Sequence, residues 1–275
     1  MTAPHDNTVA SKAAAFQALH RNAGTFVIAN AWDGGVARLL QSAGFSAIAT
    51  SSAASAGTLG RLDGQVTRDE ALSQARIIVA ATDLPVSADL EKGFGDTPEI
   101  VAETVRLAAG VGLVGCSIED ATGQKDRPRF EFAHAVERIA AAVQAARALP
   151  FPFTLSARTE NFLNGYPDLD DTIKRLQAFE KAGADVLFAP GLPDLAAVRA
   201  VCSAVTKPVN FMVGIPGKSF SVAELAAAGV KRISLATSLY RAAMTGLFEA
   251  AREVKEQGTF GYLDRLIDVN KFMRR

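Results

Sequence analysis

The stretch FVIANAWDGGVARLLQSAG, residues 26–44, decides how the chain folds. Its first half, FVIANAW (26–32), is an apolar, β-prone run. Its second half, GGVARLLQSAG, reads as a helix closed by a glycine. A strand thus feeds directly into a helix. The turn between them, NAWDGG, lacks the G-x-G-x-x-G pattern that a dinucleotide-binding open sheet carries after its first strand.

The same unit recurs along the chain. Further strands are expected at AIATSS (47–52), LPVSADLE (84–91), GLVGCSIED (112–120), FTLSARTE (153–160), ADVLFAP (184–190), PVNFMV (208–213) and RISLAT (232–237). Ala- and Leu-rich helical patterns separate them. Several open on a Thr, Ser or Asp cap and several end on Gly. Eight strand–helix units in series predict an α/β fold, a parallel (β/α)8 TIM barrel spanning residues 1–275 as a single domain. Two pieces fall outside the repeat. Residues 8–22 predict an N-terminal amphipathic helix. YLDRLIDVNKFMRR predicts a C-terminal helix with Leu263, Leu266, Ile267, Val269 and Phe272 as an apolar stripe, buried either on a neighbouring subunit or on the chain's own barrel.

Composition narrows the function. The chain is 49% hydrophobic, and its 29 basic residues balance 29 acidic ones, so no charge excess points to nucleic acid or an anionic membrane. No apolar run is long enough to span a bilayer, and MTAPHDNTVASK has no signal-peptide core. Cys116 and Cys202 form no metal-type spacing and no disulfide framework, and a reducing cytoplasm is expected.

In such a barrel the chemistry sits at the C-terminal ends of the strands. Those ends carry Trp32-Asp33, Thr50-Ser51-Ser52, Asp89 with Glu91, Glu119-Asp120, Arg158 with Glu160, Asn210, and Thr237-Ser238. Asp89 and Glu91, two apart on a strand, are expected to face the same side. The plain alternative is a set of solvated acids. Three acids on adjacent strands (Asp89, Glu91, Glu119) favour a divalent cation, and oxygen-only donors suit Mg2+ or Mn2+ over zinc. Arg158 is either an ion-pair partner of Glu160 or a bidentate clamp for a substrate carboxylate. Ser51 and Ser52 either cradle an anion or form a tight packing turn. Asn210 either donates to substrate or is satisfied by backbone. His5, His20 and His134 lie off the strand ends, so no Ser-His-Asp arrangement is visible. Lys125 reads as a surface loop residue.

Taken together, TSSAASAGTLGRLDG, ADLEKGFG, CSIEDATGQK, SARTE and KPVN resemble the isocitrate lyase/phosphoenolpyruvate mutase superfamily in order and spacing. The resemblance implies a swapped C-terminal helix and a homo-oligomer, a dimer or a tetramer built as a dimer of dimers. It implies a Mg2+ site with Asp89 as direct ligand and Asp63, Glu91 and Glu119 acting through water. It implies that Thr50, Ser51, Ser52 and Arg158 hold the substrate carboxylate, with Trp32, Asp33 and Asn210 also at the substrate. The loop GQKDRPRFE keeps Lys125 but lacks the Cys and His of the family's carbon–carbon lyases.

The chemistry the resemblance implies is Mg2+-dependent carbon–carbon cleavage of a small 2-oxo (di)carboxylic acid through a metal-stabilised enolate, decarboxylase-like or retro-aldol-like. Lys125, Glu119 or a metal-bound water would handle the proton, with Arg158 fixing the substrate. Two alternatives stand beside it. One is a phosphonopyruvate-type hydrolase or mutase, with Lys125, Arg127 and Arg129 gripping a phosphonate. The other is a 2-oxo-acid binding protein with little turnover.

Overall fold

In the computed structural model, which describes residues 8–273, eight parallel strands close into a barrel in sequence order. Residues 1–7, His5 among them, and 274–275 lie outside the described residues. The strands are β1 Phe26–Asn30, β2 Ile48–Ala49, β3 Val86–Asp89, β4 Gly115–Glu119, β5 Thr154–Arg158, β6 Val186–Phe188, β7 Val209–Met212 and β8 Arg232–Ser234. Each falls within a segment predicted from sequence, and each is shorter than its prediction.

The strands carry two environments at a period of two. On β4, Cys116 and Ile118 point outward into the apolar layer under the helices, while Ser117 and Glu119 point inward. On β5, Leu155 and Ala157 face out while Arg158 lines the interior cavity. Burying each outward Ile or Leu contributes about 1.5–3 kcal/mol. That layer locks the register and so fixes what faces the axis. Asp89 pairs with Ser117, and Glu119 with Arg158, which sets the acids and the arginine at one mouth of the barrel.

Most of the surrounding helices begin where the sequence provides a cap. Asp33 accepts from the Val36 amide at 2.7 Å and opens α2 (Gly34–Ser42). One difference from the sequence reading lies at the site. SAASAGT, expected to extend a strand into a packing turn, is a helix, α3 (Ser52–Thr58), capped by Ser51. Its Ala/Gly content lets it run close to its neighbours. A methyl group on Gly57 would come within 2.5 Å of the Tyr240 hydroxyl. Next come α4 (Arg68–Ala81), α5 (Pro98–Gly110), α6 (Phe132–Arg147), α7 (Leu169–Lys181), α8 (Leu195–Ala204) and α9 (Val222–Ala227).

The N-terminal helix α1 (Val9–Arg21) stoppers the opposite end of the barrel, where Ala13 and Phe16 pack with Ile28, Ala47 and Val114. His20 sits there between the rings of Phe16 and Phe26, edge-on to both at 4.8 and 5.0 Å. Its Nδ1 donates to the Phe16 carbonyl at 2.8 Å, and its Nε2 is buried without a partner. Burial, aided by the charge of Arg232, pushes the imidazole down to about 3 from 6.5. The folded-state value lies below the unfolded one, so between pH 6.5 and about 3 the unfolded chain binds the extra proton. Stability present above pH 6.5 therefore falls away as pH drops through that window. Replacing His20 with Leu is expected to flatten the acid limb, the variant losing about 3 kcal/mol less than the parent between pH 7 and pH 4. Urea midpoints across that range check this; parallel pH curves would contradict it.

The C-terminal part departs most from expectation. The helix after β8, α10 (Ser238–Gln257), has no buried residue. Leu247 and Phe248 are 62% and 66% exposed along it. The segment 261–273 is not one amphipathic helix. It is a 3-10 turn (Gly261–Arg265), an extended stretch, and a short α11 (Asn270–Met273). Leu263, Leu266, Ile267 and Val269 stay exposed, and the Met273 carbonyl accepts from Arg38 on α2 at 2.6 Å. The predicted stripe cannot form a continuous face across the extended break. The element that stands off the barrel with an unburied apolar face is α10. Among the described residues no helix is long and apolar enough to cross a membrane.

Candidate active site

A cavity of about 340 Å³ enters the barrel from the C-terminal mouth, and its lining includes Thr50, Ser51, Ser52, Asp63, Asp89, Arg158 and Asn210. A second space of about 710 Å³ lies over the rim and shares Ser52, Asp63 and Arg158 with the first. It adds Glu91, Glu119, Lys125 and Glu160. The predicted ends of β2, β3, β4, β5, β7 and β8 meet here, and that of β1 does not.

Arg158 is the hub. It contacts Glu160, its Nε lies 3.4 Å from Glu119 Oε2, and its Nη1 lies 3.7 Å from Asp89 Oδ2. The Phe188 ring lies 5.0 Å under it. Burial alone would lower its pKa, but Glu160, Glu119 and Asp89 outweigh burial and hold it above its ordinary value. Arg158 is therefore paired, as one sequence reading expected, and it also lines the cavity. Asp89 is fixed by its neighbours. Ser52 Oγ donates to Oδ2 at 3.0 Å, Ser117 Oγ to Oδ1 at 3.4 Å, and the Asp89 amide donates to Thr50 Oγ1 at 3.0 Å.

Glu91 reaches the site by a different route from the one expected. β3 ends at Asp89, so the two residues do not share a strand face. Glu91 occupies the left-handed region at φ 50, and its amide donates to Asp89 Oδ1 at 3.3 Å. A non-glycine residue held there costs of order 1 kcal/mol or more and persists where its surroundings impose it. Arg138 of α6 is part of those surroundings. It is fully buried and donates to the carbonyls of Lys92, Gly95 and Glu119.

The rim carries more negative charge than its arginine offsets. Burial, then the charges of Asp89 and Asp63, push Glu91 up to about 7. Desolvation of its carboxyl and the charge of Asp89 push Asp63 up, although the residue stands on an exposed loop. Glu119 is raised by burial, with Arg158 pulling the other way. No thiol or imidazole lines either space. Such a donor set fits a hard cation. Among the described residues no three His, Cys, Asp or Glu side chains close into a direct cage.

Other predicted residues fall elsewhere. Asp33 is exposed and occupied as the α2 cap, and Trp32 turns edge-on to Tyr240 of α10 at 5.2 Å, so neither lines the cavity. Lys125 is exposed on the loop over the outer space. Arg129 is drawn away from a phosphonate-gripping role by Asp171 at 2.9 Å and by Asn161. Asp120 turns into a buried network, accepting from the Glu160 amide at 2.8 Å and Arg175 at 3.1 Å, which anchors the end of β5.

Sequence reasoning missed Arg232, Ser87, Ser117, Ser234 and Arg241, all on the cavity wall. The signal for most was present. Arg232 and Ser234 alternate with Ile233, and a period-two polar set on an apolar strand marks a polar lumen.

Residues 16–255 match the family model described as phosphoenolpyruvate phosphomutase. The chain belongs to the isocitrate lyase/PEP mutase superfamily. Within that superfamily it is similar to the 2-methylisocitrate lyase of Escherichia coli K12, 34% identical over 81% of this chain and 77% of that protein. It is similar to the oxaloacetate decarboxylase of Paraburkholderia xenovorans LB400, 30% identical over 80% of this chain and 74% of that protein. A solved structure from Burkholderia cenocepacia J2315, provisionally described as a lyase/mutase, is 52% identical with a TM-score of 0.95 over 97% of each chain. Superfamily relatives with named activities thus include carbon–carbon lyases, and the chain keeps an acid-rich rim around a buried arginine.

Proposed function

We propose that the protein is a Mg2+-dependent lyase that cleaves a carbon–carbon bond in a small 2-oxo (di)carboxylic acid. The observation that carries this reading is the rim itself: Asp63, Asp89, Glu91 and Glu119 gather with the largely buried Arg158 at the mouth of the cavity. Asp89 would hold the cation directly, and Asp63, Glu91 and Glu119 would hold its waters. A bound Mg2+ supplies Lewis-acid polarisation of the substrate's 2-oxo group. Arg158 and the Thr50–Ser52 segment orient the carboxylate, and the buried walls exclude water. Glu119, on the wall of the outer space, would take or return the proton. Lys125 reaches the same space only from the exposed loop. The similarity to a 2-methylisocitrate lyase and an oxaloacetate decarboxylase supports the reaction class.

The test is product analysis with Mg2+ and a panel of oxaloacetate, 2-methylisocitrate-type acids and phosphonopyruvate. Pyruvate released from one of the carbon acids is expected. Phosphate release from phosphonopyruvate alone would replace this reading with phosphonate chemistry. Ligand binding without any product would reduce the protein to a binder.

We also propose a homo-oligomer held by α10, which presents Met244, Leu247, Phe248 and Val254 to solvent in a single chain. A second copy offers the same unburied face. The double change Leu247→Glu and Phe248→Glu is expected to reduce the assembly to monomers in light scattering. An unchanged mass would rule α10 out as the contact.

A further inference from the structure

The floor of the cavity carries a positive charge that no carboxylate among the described residues neutralises. Arg232, at the start of β8, is 6% exposed and lines the cavity. Its Nε donates to Asn210 Oδ1 at 2.8 Å and its Nη2 donates to Ser156 Oγ at 3.1 Å. Both acceptors are neutral. Among the described residues no carboxylate lies within ion-pair distance of it, and Nη1 has no protein acceptor. The other buried arginines differ. Arg158 and Arg175 face carboxylates, and Arg138 is met by three backbone carbonyls. A guanidinium has five N–H donors, so most of those of Arg232 remain for something else. Holding such a charge in a buried site without a counter-charge is costly.

Arg232 also sets the rest of the floor. Because a guanidinium only donates, Asn210 must turn its Oδ1 toward Arg232. Its Nδ2 then donates to Ser234 Oγ at 3.0 Å, and the amide nitrogen is left as the donor end beside the cavity. Ser87, Ser117 and Ser234 complete the lower wall, and the acids on the cavity lining, Asp63 and Asp89, stand at the rim. The cavity is therefore polarised, with carboxylates at the mouth and donors with one fixed cation at the base.

We propose that Arg232 is a specificity-determining residue that receives a second acidic group of the ligand, so that the site takes dicarboxylic acids in preference to monocarboxylic ones. The proposal rests on the reading of the rim as a metal-and-carboxylate site. The span is right for it. Ser156, bonded to Arg232, pairs with Ser117, whose Oγ donates to Asp89 at 3.4 Å. With about 4.8 Å between strands, that path from Arg232 to Asp89 is of the order of 11 Å. A four-carbon diacid covers a span of that order once a metal–oxygen distance of about 2.1 Å and an N–O contact of about 2.9 Å are added.

Binding of three non-reacting probes tests this, measured by calorimetry with Mg2+ on the intact chain. L-malate and L-lactate differ by the distal carboxylate, and oxalate fills only the rim. Malate is expected to bind at least about tenfold tighter than lactate. Arg232→Met is expected to erase that gap while leaving lactate and oxalate unchanged, and Arg232→Lys to keep part of it. Oxalate binding with no malate preference would overturn the role of Arg232 and leave the rim reading standing. Equal losses for malate and oxalate in a folded Arg232→Met chain would make the arginine structural and overturn the proposal. No oxalate binding to the parent chain would sink the rim reading, and this inference with it. The malate–lactate comparison in the parent chain and the Arg232→Lys variant still decide the matter if Arg232→Met does not fold.

Discussion

On the proposed function Asp89→Asn is expected to lower kcat/KM by about a thousandfold or more, because the proposed cation would lose its direct ligand and the reaction its Lewis acid. Its fold is expected to survive. Asn keeps the shape that Ser52, Ser117 and the Glu91 amide surround, and the lost charge relieves the repulsion that Asp89 exerts on Glu91 and Asp63. The metal-free melting temperature should therefore hold or rise, while the rise that Mg2+ gives the parent chain disappears. Paired thermal melts with Mg2+ and with chelator, beside steady-state kinetics, read both halves. Retention of full activity would show that the cation, if used, is held elsewhere.

Arg158→Met is expected to do the opposite to stability. It leaves Asp89, Glu119 and Glu160 facing one another in a buried site, and stranding paired charges in this way costs about 3–5 kcal/mol. The melting temperature should fall by about 10 °C at neutral pH. Burial already raises Glu119 and Glu160 above their unfolded values, and with the arginine gone they lose the charge that holds them down. The folded chain then binds the extra protons, and the deficit narrows as pH falls into that window. Activity should drop at least about a hundredfold, because on the proposed function the same guanidinium orients the substrate carboxylate. Arg158→Lys restores the charge but not the planar fork, so it should recover more stability than turnover. A folded, active Arg158→Met chain would remove the arginine from the account.

The barrel was legible in the sequence because its signal is repeated. Each strand is a short apolar run, most helices begin at a visible cap, and eight such units leave few alternatives. The rim was legible where the strand period carries it, as for Asp89, Glu119 and Arg158. It was not legible where loops carry it. Asp63 approaches from the 59–66 loop, and only the resemblance pointed to it. Glu91 enters through a left-handed turn that sequence spacing does not reveal. Asp33 shows the reverse error, since a strand-end position suggested substrate while the helix behind it needed a cap. The C-terminal segment failed for a related reason. A hydrophobic period in 262–275 says that residues could share a face, whereas the observed chain breaks at Leu266–Val269 and leaves the exposed apolar face on α10.

The central claim is that the rim acids hold a divalent cation on which carbon–carbon cleavage depends. The most direct measurement is pyruvate release by the wild-type chain, freed of metal with chelator, before and after Mg2+ is added back. The account predicts no release from the carbon acids in chelator and full recovery with Mg2+. Undiminished pyruvate release in chelator would contradict it.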